Sequence, residues 1–135
     1  MATINELCAK LVSDVTDAVA ANVVDLSSGM MLGGHFLSNF TTDHFEAVSA
    51  AATSLYRGKE TLRVEDLVKA QRGDSSEGHF VEEVQMTTKG FQHFIKKIPE
   101  KEAILCLVTK TSTSPGMGWS SLKAALSKFG PLVPS

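Results

Sequence analysis

The 135-residue sequence predicts an α+β fold: a single five-stranded antiparallel sheet with helices on both faces, in the order α-β-β-α-β-β-β-α. Three observations carry this. An apolar stripe at helical spacing opens the chain behind a capping signal. A wholly apolar run, Ala103-Ile104-Leu105-Cys106-Leu107-Val108, sits between turn signals, as in a strand covered on both faces. Short glycine-bearing turns join strand-like segments on either side of an alanine-rich helical stretch.

Each element has its own signal. Thr3 and Glu6 have capping-box spacing, in which each side chain satisfies an orphan backbone N–H. Ile4, Leu7, Cys8, Leu11, Val12, Val15, Ala18 and Val19 follow at three- and four-residue steps, predicting a helix from Ile4 to Ala20. Asn22 to Leu26 reads as a strand and Ser27-Ser28-Gly29 as its turn, with Gly29 supplying a positive φ. Met30-Met31-Leu32 is the returning strand, and Gly33-Gly34 is expected to weaken or bend it before His35-Phe36-Leu37.

Thr41 or Thr42 is placed to cap a second helix, with Asp43 and Glu46 in its first turn. On it Ala47, Ala50, Ala51 and Ser54 offer small side chains that let another backbone come close. They allow two readings: packing on the chain's own sheet, or packing against a twin helix across a dimer axis. Gly58 ends or kinks this helix, and Leu62, Val64, Leu67 and Val68 suit a further short helical segment. The polar, glycine-rich run from Arg72 to Gly78 reads as an exposed loop.

Three strands follow. Val81, Val84 and Met86 mark the first, a mixed and charged segment suited to a sheet edge over Val81–Thr88. Lys89-Gly90 turns into Phe91–Ile98, and Pro99 to Glu102 turns into the apolar run, which belongs in the middle of the sheet. The last helix starts at Ser114-Pro115, buries Trp119, Leu122, Ala125, Leu126 and Phe129, and stops at Gly130-Pro131.

Composition bounds the function. With 43% apolar and 21% charged residues the chain is globular, and residues 1–135 read as one domain able to bury a core without staples. A net charge of −2 leaves no electrostatic footprint for nucleic acid. Cys8 and Cys106 lie inside apolar patterns, as small buried hydrophobes rather than a disulfide. No apolar run is long enough to span a membrane and no secretion signal is visible, so a cytoplasmic protein is expected. In that setting Arg72-Gly73-Asp74 and Asn39-Phe40-Thr41 read as chance matches to adhesion and glycosylation motifs.

The search for chemistry yields little. His35, His44, His79 and His93 have no metal-ligand spacing, and His44 suits a solvated first turn. No serine stands in a Gly-x-Ser-x-Gly elbow. Pro115-Gly116-Met117-Gly118 lacks the lysine and hydroxyl of a phosphate-binding loop and reads as a capping turn. No catalytic, cofactor-binding or metal-ligating residue is therefore assigned.

The run Val23-Val24-Asp25-Leu26-Ser27-Ser28-Gly29-Met30-Met31-Leu32 resembles the first hairpin of the Roadblock / dynein light chain family, and Ser114 to Lys123 its turn into the last helix. The alanine-rich segment from Phe45 to Leu55 lies where that family has its central helix. The likeness spans Ile4 to Phe129 and rests on order and composition; profilin- and longin-like proteins share the general architecture. The stretch from Thr61 to Gly78 departs from it, being longer and more polar than a simple link needs.

The resemblance, MglB-type regulators included, implies a non-enzymatic homodimer that binds or regulates a small Ras-like GTPase, with no cofactor. Carried onto this chain, Val81, Val84 and Met86 would pair across the axis, with Ala47, Ala51 and Leu55 near the twin helix. The rival reading is a small-molecule-binding sensor of profilin- or PAS-like shape, with a pocket between sheet and helices.

Overall fold

The computed structural model describes residues 2–37, 41–73 and 78–134. Their elements are α1 (Ile4–Asp14), β1 (Ala18–Asp25), β2 (Met31–Phe36), α2 (Thr42–Arg57), α3 (Lys59–Arg72), β3 (Glu83–Thr88), β4 (Phe91–Lys97), β5 (Ala103–Lys110) and α4 (Pro115–Phe129), followed by a 3-10 turn at Gly130–Leu132. The strands form one antiparallel sheet in the order β2-β1-β5-β4-β3. The apolar run is its central strand, and the mixed, charged strand is an edge, as expected.

Alternation along β5 divides the core. Ala103, Leu105 and Leu107 face α1 and α4, packing with Cys8, Leu11, Phe94, Leu122 and Phe129. Ile104, Cys106 and Val108 face the other way, toward Phe45, Ala52 and Tyr56 of α2. Helices thus cover both faces, and the two buried free cysteines lie in different layers. Burial pushes each thiol up to about 12, with the charge of Cys8 adding to the effect at Cys106.

The first helix is shorter than the sequence predicts. It ends at Asp14, Val15 is already extended, and Asp17 turns the chain with φ +64°. The segment Ala18–Asp25 is strand rather than helix, with Ala18 to Val24 all buried. A run apolar at nearly every position satisfies both a helical stripe and a strand covered on both faces. Pairing with β2 and β5 together outweighs alanine's helix preference.

Gly29 takes φ +76° in the first turn, and Asp25 accepts hydrogen bonds from the Ser27 and Ser28 hydroxyls at 2.9 and 2.7 Å. The Ser28 bond, with that of Ser27, holds the Asp25 carboxyl below its ordinary range. β2 runs through Gly33-Gly34, but its pairing shifts just before them: Val23 pairs with Gly33 and Val24 with Met31, which leaves Leu32 as an extra residue on β2 beside the glycines. Gly33 admits α1. Ile4 Cγ2 would stand 2.6 Å from a Cβ on Gly33, and Gly34 N–H donates to Asn5 Oδ1 at 2.8 Å.

At the helix starts, Thr3 Oγ1 accepts from Glu6 N–H and donates to the Glu6 carboxylate, while Ser114 Oγ accepts from Met117 N–H. The Pro115-Gly116-Met117-Gly118 run is therefore a capped helix start. The Thr41 carbonyl receives Phe45 N–H as α2 begins. Asn39, Phe40 and Asp74 to Glu77, with the side chains of Thr42 and His44, lie outside the described residues, so the sequence readings placed there have no structural counterpart. Among the described residues no helix is long and apolar enough to cross a membrane.

Candidate functional site

The stripe Phe45, Ser49, Ala52 and Tyr56 turns one side of α2 into the sheet, and all four are buried. Phe45 stacks on Phe36 at 4.5 Å, Asn22 Nδ2 donates to Ser49 Oγ at 3.1 Å, and the Tyr56 hydroxyl reaches the carbonyls of Glu82 and Ile95 at 2.8 and 3.2 Å. These contacts hold α2 over β1 and β5 at its start and tie its end to the chain leading into β3. Burial raises the Tyr56 phenol far above its ordinary value, so it stays a neutral donor.

So placed, α2 leaves the outer half of that sheet face open. An apolar groove of about 410 Å³ runs between Val48, Ala51 and Leu55 of α2 and Met86, Thr88, Phe91, His93 and Ile95 of β3 and β4, floored by Cys106 and Val108. Leu55 and Met86 are 40% and 38% exposed on its two banks. Among the described residues β3 is the outermost strand, bonded to β4 on one side only. The opposite edge is different, because Asn5 of α1 already occupies the Gly34 N–H of β2.

The six residues singled out in the sequence fall into three groups. Ala51, Leu55 and Met86 line the groove together. Ala47 is exposed on α2, as are Ala50 and Ser54, so these small side chains do not pack on the chain's own sheet. Val81 and Val84 are half-buried against the cluster of Val24, Leu26, Ala52 and Tyr56, and Val81 precedes β3 rather than lying in it. The sequence reading missed Phe45, Phe91 and His93. Phe45 was findable as the start of the 45-49-52-56 stripe, whereas Phe91 and His93 meet the groove only through sheet order.

The segment from Thr61 resolves into α3, whose Val64 and Leu67 are 58% and 59% exposed. Its one buried residue is Glu65, which accepts from His79 Nδ1 at 2.9 Å and from Phe80 N–H. Burial works against this carboxylate, but the two hydrogen bonds together with the charges of His79 and Arg57 outweigh it and hold its pKa below the usual range. Lys69 and Arg72 flank the Phe80 ring at 5.5 and 5.8 Å. Together they clamp the chain just ahead of β3. Among the described residues no three His, Cys, Asp or Glu side chains converge as a metal site.

The sequence matches no protein-family model and no curated protein. Solved structures do match. A Roadblock/LC7 domain from Streptomyces avermitilis superposes with a TM-score of 0.72 at 15% identity, over 96% of this chain and 97% of that one. The fold is that of the Roadblock/LC7 domain. MglB of Myxococcus xanthus matches with a TM-score of 0.69 at 15% identity, over 96% of this chain and 93% of its own. The MglB gliding protein of Thermus thermophilus matches with 0.68 at 14%, over 98% and 93%. A further Roadblock-fold match is described as MglB with a tetrameric arrangement. On this Roadblock fold the groove lies between the central helix and the outermost strand.

Proposed function

We propose that residues 1–135 act as one Roadblock-like domain, a non-enzymatic adaptor that pairs with a second copy and, as a pair, binds or regulates a small Ras-like GTPase in the cytoplasm. The observation that carries the reading is the apolar groove lying beside an outermost strand that has no second partner strand among the described residues. A second copy aligned on β3 extends the sheet and covers Leu55 and Met86 in one step. The exposed Ala47 and Ala51 let the two α2 helices approach closely, and Val81 and Val84 hold the strand region against Ala52 and Tyr56. The GTPase partner follows from the family resemblance, with the paired α2 helices as its platform.

The groove also supports a second reading, an apolar small-molecule sensor, since ligand pockets are typically about 300–1,000 Å³ and this one falls in that range. Light-scattering chromatography separates the two. The pairing reading expects twice the 14.5 kDa chain mass for wild type and a folded monomer for Met86→Arg. Met86 suits this test better than Val84, which packs into the core. A wild-type monomer at high concentration would sink the pairing reading and favour the sensor. Purified Ras-like GTPases in GDP and GTP-analogue states, titrated against wild type and Met86→Arg, then test the partner.

A further inference from the structure

We propose that a second copy of this chain joins β3 in one register, with the two Gln85 residues opposite each other on the two-fold axis; this rests on the pairing reading above and fixes its geometry. The β3–β4 ladder shows which backbone groups β3 keeps for a partner. Lys97 N–H donates to the Glu82 carbonyl, and those two residues continue the register that sets Glu83 opposite Lys96. Bonded and non-bonded pairs alternate along an antiparallel ladder, so Val84, Met86 and Thr88 turn their N–H and C=O groups toward β4 as Glu82 does. Glu83, Gln85 and Thr87 turn theirs outward.

Side chains alternate as well. Gln85 and Glu83 meet Trp119 and Lys123 of α4, whereas Val84 packs toward Tyr56, and Met86 and Thr88 line the groove. A two-fold axis perpendicular to the sheet keeps both grooves on one face and pairs β3 with itself antiparallel. Each residue then faces the one equally far beyond the centre on the other copy.

Centred on Gln85, every outward-facing residue of β3 finds its opposite inside the strand: Gln85 faces Gln85, and Glu83 faces Thr87 on both sides of the axis. On the groove side, Val84 of each copy lies beside Met86 of the other, so both apolar positions gain an apolar neighbour. The adjacent registers do less. Centred on Met86, Val84 faces Thr88, and Glu83 faces Lys89 in the turn that Gly90 closes at φ +89°. Glu83 already has Lys96 and Lys123, so a further exposed ion pair adds little. Centred on Val84, Met86 faces the carboxylate-bearing Glu82, and Thr87 faces Val81, outside the strand. Centred on Glu83, two like charges meet.

Disulfide trapping on the full chain reads the register. Val84→Cys and Met86→Cys are mixed in equal amounts where sedimentation velocity shows pairs, then oxidised with copper phenanthroline. Intact mass separates the mixed disulfide from the two symmetric ones. In the Gln85-centred register, positions 84 and 86 of different copies have Cα atoms about 4.5 Å apart, within disulfide reach, and like positions lie about 7–8 Å apart, beyond it. The mixed species should therefore exceed either symmetric one by at least about fivefold. Gln85→Cys, which leaves the groove lining intact, should cross-link with itself across about 5.5 Å. The native Cys8 and Cys106 are buried and stay out of the reaction. A symmetric product that equals or exceeds the mixed one, or a Gln85→Cys variant that pairs without cross-linking, overturns the register and leaves the pairing reading intact. Should the groove substitutions prevent pairing, Gln85→Cys alone decides. A wild-type monomer overturns both.

Discussion

The indole N–H of Trp119 donates to Gln85 Oε1 at 2.7 Å, joining α4 to the outermost strand β3 on the sheet face opposite the groove. The same indole meets the Phe94 ring edge-on at 5.3 Å. Nearby, Lys96 and Lys123 both reach Glu83 of β3, at 3.1 and 3.2 Å. An edge strand has only one ladder to hold it, so these ties, from Trp119 and Lys123 of α4 and Lys96 of β4, supply part of what a second neighbouring strand would otherwise provide.

Trp119→Phe keeps an edge-on ring but loses the bond to Gln85, and should cost about 1 kcal/mol in urea unfolding followed by circular dichroism. Trp119→Ala also loses the ring contact and should cost roughly 2–3 kcal/mol. Equal losses in the two variants would show that the hydrogen bond contributes nothing.

Gly118 is the second tight point beneath α4. A Cβ there would stand 2.5 Å from two atoms of the Phe94 ring, which is itself fully buried and cannot swing aside. Gly118→Ala should therefore destabilise by about 1–3 kcal/mol, although alanine favours a helix. Gly116, with open space around its Cβ position, is the control. Gly116→Ala should be neutral or stabilising by thermal melt, and the opposite ranking would contradict the packing.

The clamp at Glu65 predicts a pH dependence. Its folded pKa is held below the unfolded value of about 4.3, so its stabilisation is fully present above that value and is lost as pH falls through the folded pKa. Glu65→Gln should lower stability by about 1–2 kcal/mol at pH 7 and flatten the loss between about pH 5 and pH 3. Part of the slope remains, because hydrogen bonds also hold Asp25, Glu83 and Glu102 low. Urea midpoints at three pH values measure this, and parallel profiles would remove Glu65 from the acid transition.

Both thiols should resist modification in the folded chain. Cys8 is fully buried, Cys106 is 5% exposed, and each is pushed up to about 12 by burial. Reaction with a disulfide reagent at pH 8 should proceed at the rate of unfolding and reach two equivalents only in denaturant. Fast native-state labelling of Cys106 would instead show that the groove floor opens.

Helix starts, glycine turns, the doubly covered central strand and the charged edge strand were legible in the sequence, because each is written in neighbouring residues. Gly29, Ser114 and the run Ala103 to Val108 act over a few positions and the structure uses them as read, while of the Thr3–Glu6 box it shows Thr3 accepting from Glu6 N–H and the Glu6 carboxylate accepting from the Thr3 hydroxyl. The stretch Ala18 to Ala20 was misread for a physical reason: it continues the helical apolar stripe, and its alanines favour a helix although each position also suits a fully buried strand. Only β2 and β5 on either side decide between them.

The groove belongs to the tertiary structure. It arises from α2 crossing above β1 and β5, from Tyr56 reaching carbonyls 26 and 39 positions away, and from α1 capping the opposite edge through Asn5. The sequence by itself determined which residues were small or apolar enough to serve there, among them Ala51, Leu55 and Met86. The tertiary structure decided which of them stay exposed together, and it set His93 among them, because burial depends on what the rest of the chain packs above each strand.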